Sequence, residues 1–82
     1  MNKRKLLQKI LSGSKNIRFD DMIKLAEAFG FSPSRIAGSH HIMTHSNMAQ
    51  ILNLQNVKGQ VKPYQVRQFL KLIEQFNLKM GD

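Results

Sequence analysis

Cysteine is absent from the 82 residues, which excludes a disulfide framework and a thiolate metal site and fits a reducing compartment. No apolar run approaches the roughly 20 residues of a membrane-spanning helix, and none follows the basic start as a secretory leader requires. The sequence therefore predicts a soluble, cytoplasmic protein with no membrane partner. No repeat, low-complexity tract or linker divides the chain, so a single domain over residues 1–82 is expected. At this size one core supplies only about 3–5 kcal/mol of net stability, and neither a large substrate pocket nor a small-molecule cofactor is expected.

Acidic residues are also scarce, five against 13 basic ones, for a net charge of +8. Residues 1–18 carry Lys3, Arg4, Lys5, Lys9, Lys15 and Arg18 with no acid, and Asp20, Asp21 and Glu27 follow. Residues 34–73 then carry Arg35, Lys58, Lys62, Arg67 and Lys71, again with no acid. Such a stretch attracts a polyanion. Charge alone describes a solvated surface equally well.

Leu6, Leu7, Ile10 and Leu11 fall at the spacing of one buried helical stripe, which predicts a first helix over residues 5–11 before "SGSKN" breaks it. A second helix is expected from about Phe19 or Asp20 to Phe29. Asp20 and Asp21 complement its dipole, Met22, Leu25, Ala26 and Phe29 share a face, and Gly30 caps its end. After Ser32-Pro33 the period shortens, and "RIAG", "HHIMTH" and "ILNLQ" are read as three short antiparallel strands. A last helix starts at Pro63 and buries Val66, Phe69, Leu70, Ile73 and Phe76 through to Asn77. The predicted class is α+β: N-terminal helices, a three-stranded antiparallel sheet and a C-terminal helix, with one sheet face left partly open.

All three histidines fall in "GSHHIMTH", residues 38–45. On a helix His41 and His45 would share a face at a good zinc spacing. On a strand, at about 3.3 Å per residue, they lie roughly 13 Å apart, beyond the ~4 Å that two ligands of one ion span. His40 points to the opposite face. With no cysteine and no carboxylate among residues 34–73, no metal site is expected, and neither a serine nor a cysteine triad can be assembled.

RNA cleavage needs less. The substrate brings its own nucleophile, the 2′-hydroxyl, and the protein must move protons and stabilise an anionic phosphorane. One histidine beside cationic groups is enough for modest catalysis. The pattern alone leaves open whether these histidines do this chemistry, donate to phosphate, or sit half-buried on a strand.

"GSHHIMTH" followed by "LNLQNVKGQVKPYQVRQFLKLIEQFNL" resembles the HicA-type toxins of bacterial toxin–antitoxin systems, which are small messenger-RNA interferases. The resemblance extends from "KLLQKILSGSKNIRFDDMIKLAEAFGF" onward and is strongest over residues 38–78. It implies a fold similar to double-stranded-RNA-binding domains, a metal-independent ribonuclease acting without the ribosome on single-stranded messenger RNA, and neutralisation by a HicB-type antitoxin. It also implies an essential histidine after Gly-Ser, which maps onto His40. The family commonly continues with proline after the position of His45, whereas this chain has Ser46-Asn47, so the following turn is expected to differ.

The candidate site is thus His40 as the acid–base group, with Gly38, Ser39, Lys58 and Lys62 on the RNA and no metal. Gly38 either lets the backbone approach a phosphate or serves as a strand-entry glycine. Ser39 either binds phosphate or satisfies a turn, and Lys58 and Lys62 either hold phosphates or are solvated loop lysines. Arg35 and Arg67 are weaker candidates, and His41 and His45 are assigned to structure. A non-catalytic RNA-binding module of the same fold is the main alternative. An inactive partner that only binds an antitoxin is another. A helix-turn-helix repressor fits poorly, because "SGSKNIRF" exceeds the turn of roughly 3–4 residues that motif uses.

Overall fold

α1 (Lys3–Ser12), α2 (Phe19–Ala28), β1 (Phe31–Ala37), β2 (His40–His45), β3 (Met48–Gln55) and α3 (Pro63–Gln75) follow one another in the computed structural model, which describes residues 2–81. The class and order are those the periodicity predicts. Among the described residues no helix is long and apolar enough to cross a membrane.

Asn2 caps α1, its Oδ1 accepting from the backbone N–H of Arg4 at 2.8 Å and of Lys5 at 3.4 Å. Leu6 and Ile10 are buried one turn apart, and Leu7 is half-buried. Leu11, expected in the same stripe, is 63% exposed instead. The face that α1 presents to α2 is narrower than the full apolar stripe would cover.

In α2, Met22, Leu25, Ala26 and Phe29 are buried as expected, and the chain leaves the helix through Gly30 at φ +96°. β1 begins immediately, at Phe31, rather than at Arg35. Ser32-Pro33 is therefore not a break but part of the strand. The sheet order is β1-β2-β3, so β1 is an outer strand, where the missing N–H of proline is tolerated. The register shifts between Pro33 and Arg35, leaving Ser34 as a bulge.

Two-residue turns join the strands. Gly38-Ser39 connects the paired residues Ala37 and His40, with Gly38 at φ +61° and Ser39 outside the positive region, as a type II′ turn requires. Gly38, read as part of the first strand, lies in this turn. Ser46-Asn47 connects His45 to Met48, so β3 starts earlier than Ile51.

Phe31, Met43, Leu52 and Leu54 line the covered face of the sheet and are buried with Phe19, Met22, Leu25, Phe29, Val66, Phe69 and Leu72 from the helices. The Phe69 ring meets Phe29 edge-on at 5.5 Å and Phe31 at 5.9 Å. α3 buries Val66 and Phe69 as expected, and Leu70, Ile73 and Phe76 pack partly buried against the core. Gln65 and Leu72, outside the expected stripe, are buried as well. Gln65 Oε1 accepts the N–H of Gln55 at 2.8 Å, tying α3 to the end of β3.

The 56–62 segment is also fixed. Lys58 and Gly59 stand at φ +52° and +84° between the bridged residues Val57 and Gln60, the signature of a type I′ turn. Asn56 Oδ1 accepts from Gly59 N–H at 2.8 Å. Phe19 N–H donates to Gly59 O at 2.9 Å and Val61 N–H to Ile17 O at 3.0 Å, so the α1–α2 connection clamps this loop.

Candidate functional site

With the helices on one side, the register sets out the open side of the sheet. One row across the strands is Ala37, His40 and Gln55; the next is Arg35, Ile42 and Asn53. Diagonal neighbours on one face lie ≈ 7–8 Å apart, within reach of medium-length side chains. His40 uses this diagonal: its Nδ1 lies 3.1 Å from Asn53 Oδ1. With Asn53 Oδ1 as the acceptor, the neutral ring has its proton on Nδ1 and its lone pair on Nε2. That leaves Nε2 as the nitrogen that can take a proton from a substrate.

The turn before His40 is braced from the same side. Gln55 Nε2 donates to Ser39 Oγ at 3.2 Å, and Asn56 N–H donates to Ser39 O at 2.9 Å. Ser39 thus satisfies the turn and joins the hairpin to the 56–62 loop. Gly38 has nothing within 4 Å of where a Cβ would stand. Its positive φ is what demands glycine, and the space beside it is open.

The other two histidines face the helices, as strand alternation predicts. The His41 ring packs on Phe19, centroids 4.7 Å apart. The His45 ring meets Phe31 edge-on at 5.2 Å. His45 Nε2–H donates to Phe29 O at 2.9 Å, and its Nδ1 accepts from Asn47 N–H at 3.0 Å, so both nitrogens are spent on structure.

Lys58 is exposed at the tip of its turn, in a conformation where Asn, Asp or Gly is the usual occupant. Lys62 is the N-cap residue of α3 and is half-buried rather than fully exposed, with its Nζ 6.0 Å from the Tyr64 ring centroid. Both lie on the clamped segment that starts beside Ser39. Arg35 occupies the open face next to the His40 row, and Arg67 is exposed on α3.

Sequence reasoning missed Asn53, Gln55 and Gln65. The alternation in "LNLQ" does put Asn53 and Gln55 on the polar side of the strand, but their approach to His40 and Ser39 depends on a cross-strand register that alternation does not give. A groove of about 730 Å³ lies elsewhere, lined by Asn2, Lys3, Arg4, Leu7, Gln8, Met80 and Gly81. None of the candidate residues borders it, and their site is an open surface rather than a pocket.

Fold and site together define a small α+β domain with one imidazole on an open, cation-bordered sheet face. The family model described as "HicA toxin of bacterial toxin-antitoxin" matches residues 19–75, from the start of α2 to the end of α3, and the chain belongs to this family. α1 lies outside the matched span. No curated protein and no solved structure matches the chain. HicA toxins are generally mRNA-cleaving, and membership implies a cognate antitoxin.

Proposed function

We propose that the chain is a metal-independent RNA endonuclease that cuts single-stranded messenger RNA without the ribosome, with His40 as its one acid–base residue and a HicB-type antitoxin as its inhibitor. The observation that carries this reading is the Nδ1 contact with Asn53, which orients the ring and leaves Nε2 as the base. Nε2 takes the proton of the 2′-hydroxyl as the 2′-oxygen bonds to phosphorus. The P–O5′ bond breaks with its electron pair on the 5′-oxygen, which takes a proton from solvent, and the imidazolium returns its own proton to solvent. The products are a 2′,3′-cyclic phosphate and a 5′-hydroxyl. Arg35, Lys58 and Lys62 offset the charge of the phosphorane and hold neighbouring phosphates, and Gly38 and Ser39 border the position of the scissile group.

The test is incubation of the purified chain with single-stranded messenger RNA in EDTA, followed by end-group analysis. Fragments ending in cyclic phosphate support the reading. RNA that is bound but left whole favours the non-catalytic binding module, and activity that vanishes with EDTA makes the reaction metal-dependent.

Asn53 acts as a positioning residue. Asn53→Ala is expected to lower kcat by about tenfold, the value of one hydrogen bond near the upper end of its usual range, with little change in KM. Asn53→Asp keeps an acceptor for Nδ1–H and should retain more of the rate than alanine does. Equal losses in the two variants would remove Asn53 from this role.

Replacing Lys58 and Lys62 together by alanine should weaken RNA binding and flatten its salt dependence. The slope of log affinity against log salt should fall by about 0.7 for each phosphate that is no longer neutralised. A slope identical to that of the parent would take both lysines out of the interface.

A further inference from the structure

Tyr64 is the one tyrosine of a chain without tryptophan, and the fold leaves this residue 53% exposed. It is not held there by the core, since α3 buries Gln65, Val66, Phe69 and Leu72. It is held by the strand that carries the partner of His40. Gln65, only 2% exposed, donates from Nε2 to the Tyr64 hydroxyl at 3.4 Å and accepts Gln55 N–H at 2.8 Å. Gln55 in turn pairs across the sheet with His40 and donates to Ser39 Oγ at 3.2 Å. A continuous set of bonds therefore runs from the phenol to the turn preceding the imidazole.

The surroundings of the ring are cationic. Lys62 Nζ stands 6.0 Å from its centroid. Arg67, one helical turn further along α3, is exposed on the same side. An exposed aromatic ring with a lysine amine over it and an arginine one turn along the same helix matches the way single-stranded RNA is gripped: cations track the phosphates, and aromatic side chains stack on unpaired bases. Every nucleobase has a π-face, so stacking of this kind needs no base-specific hydrogen bonds.

We propose that Tyr64 is a stacking platform for an unpaired base of the RNA, close to the bond that His40 cleaves, with Lys62 and Arg67 on the flanking phosphates. This inference rests on the RNA-cleavage reading and adds a subsite to it.

The chain supplies its own reporter, because all of its tyrosine emission comes from Tyr64. In the His40→Ala background, which prevents turnover, a fluorescein-labelled single-stranded oligoribonucleotide gives affinity by anisotropy, and an unlabelled one is titrated against tyrosine emission. Emission should fall in step with binding. Tyr64→Ala should weaken affinity by about tenfold, as removal of one base–aromatic stack does, while Tyr64→Phe, which keeps the ring, should bind like its parent.

Binding seen by anisotropy with emission unchanged, and Tyr64→Ala binding as tightly as its parent, would overturn the subsite and leave the RNA reading intact. A loss in Tyr64→Phe equal to that in Tyr64→Ala would also overturn stacking, since the hydroxyl would then be the group that matters. Absence of binding by the parent itself would sink the RNA reading and this inference with it.

Discussion

Replacing His40 by alanine is expected to slow RNA cleavage by about 10²–10⁴-fold, the usual contribution of general acid–base catalysis, while the fold stays intact. His40 lies half-buried on the open side of the sheet, outside the hydrophobic cluster, and its side chain bonds to Asn53. Removing it exposes the Asn53 amide to water, which satisfies it, so the stability loss should be about 1 kcal/mol or less. His45→Ala should show the opposite behaviour. It strips partners from Phe29 O and Asn47 N–H and removes the ring that packs on Phe31, so it should lower the unfolding midpoint more than the intrinsic cleavage rate of the molecules that remain folded. Rates measured in EDTA, normalised to the folded fraction by circular dichroism, separate the two effects. A His40→Ala protein that cuts as fast as its parent would remove this residue from the chemistry.

Gly30→Ala is expected to unfold much of the protein at room temperature. Two independent costs meet at this position. The backbone stands at φ +96°, a region that a side chain occupies only at about 1–3 kcal/mol. A Cβ there would also lie 2.7 Å from His45 Nε2 and 3.2 Å from its Cδ2. The ring must then give way, and its bond to Phe29 O is broken for about another 1–3 kcal/mol. Together these cost about 2–6 kcal/mol, comparable with the whole of the roughly 3–5 kcal/mol that a domain of this size has. Urea unfolding of the parent, Gly30→Ala, His45→Ala and the double variant checks the mechanism. With the ring gone the steric part disappears, so the double variant should lose less than the two single variants added together. Strict additivity would show that His45 is not the obstacle.

These two predictions also show where sequence reasoning succeeds and where it stops. The face of each histidine was legible because strand alternation is strict: His40 on one side, His41 and His45 on the other. The helices were legible from their apolar spacing. Pro33 misled because its effect depends on whether a strand is central or outer, and strand order is a tertiary fact. The α3 stripe was legible except at positions such as Gln65, which is polar and so left out of it but is buried with a bond to Gln55 that local pattern does not encode. Asn53 was overlooked for the same reason: it reaches His40 only through the cross-strand register.

Pro33 and the bulge at Ser34 bear on self-association as well. The outer edge of β1 is where an unpaired row of backbone groups would ordinarily invite a strand from another molecule. Here one donor is missing and the spacing of its neighbours is interrupted, so a regular ladder cannot be continued from this side. Copies of the chain are therefore discouraged from joining edge to edge along β1. A protein that covers the His40 surface finds no regular β1 edge to extend and meets instead the face of the sheet, where side chains rather than backbone decide the fit.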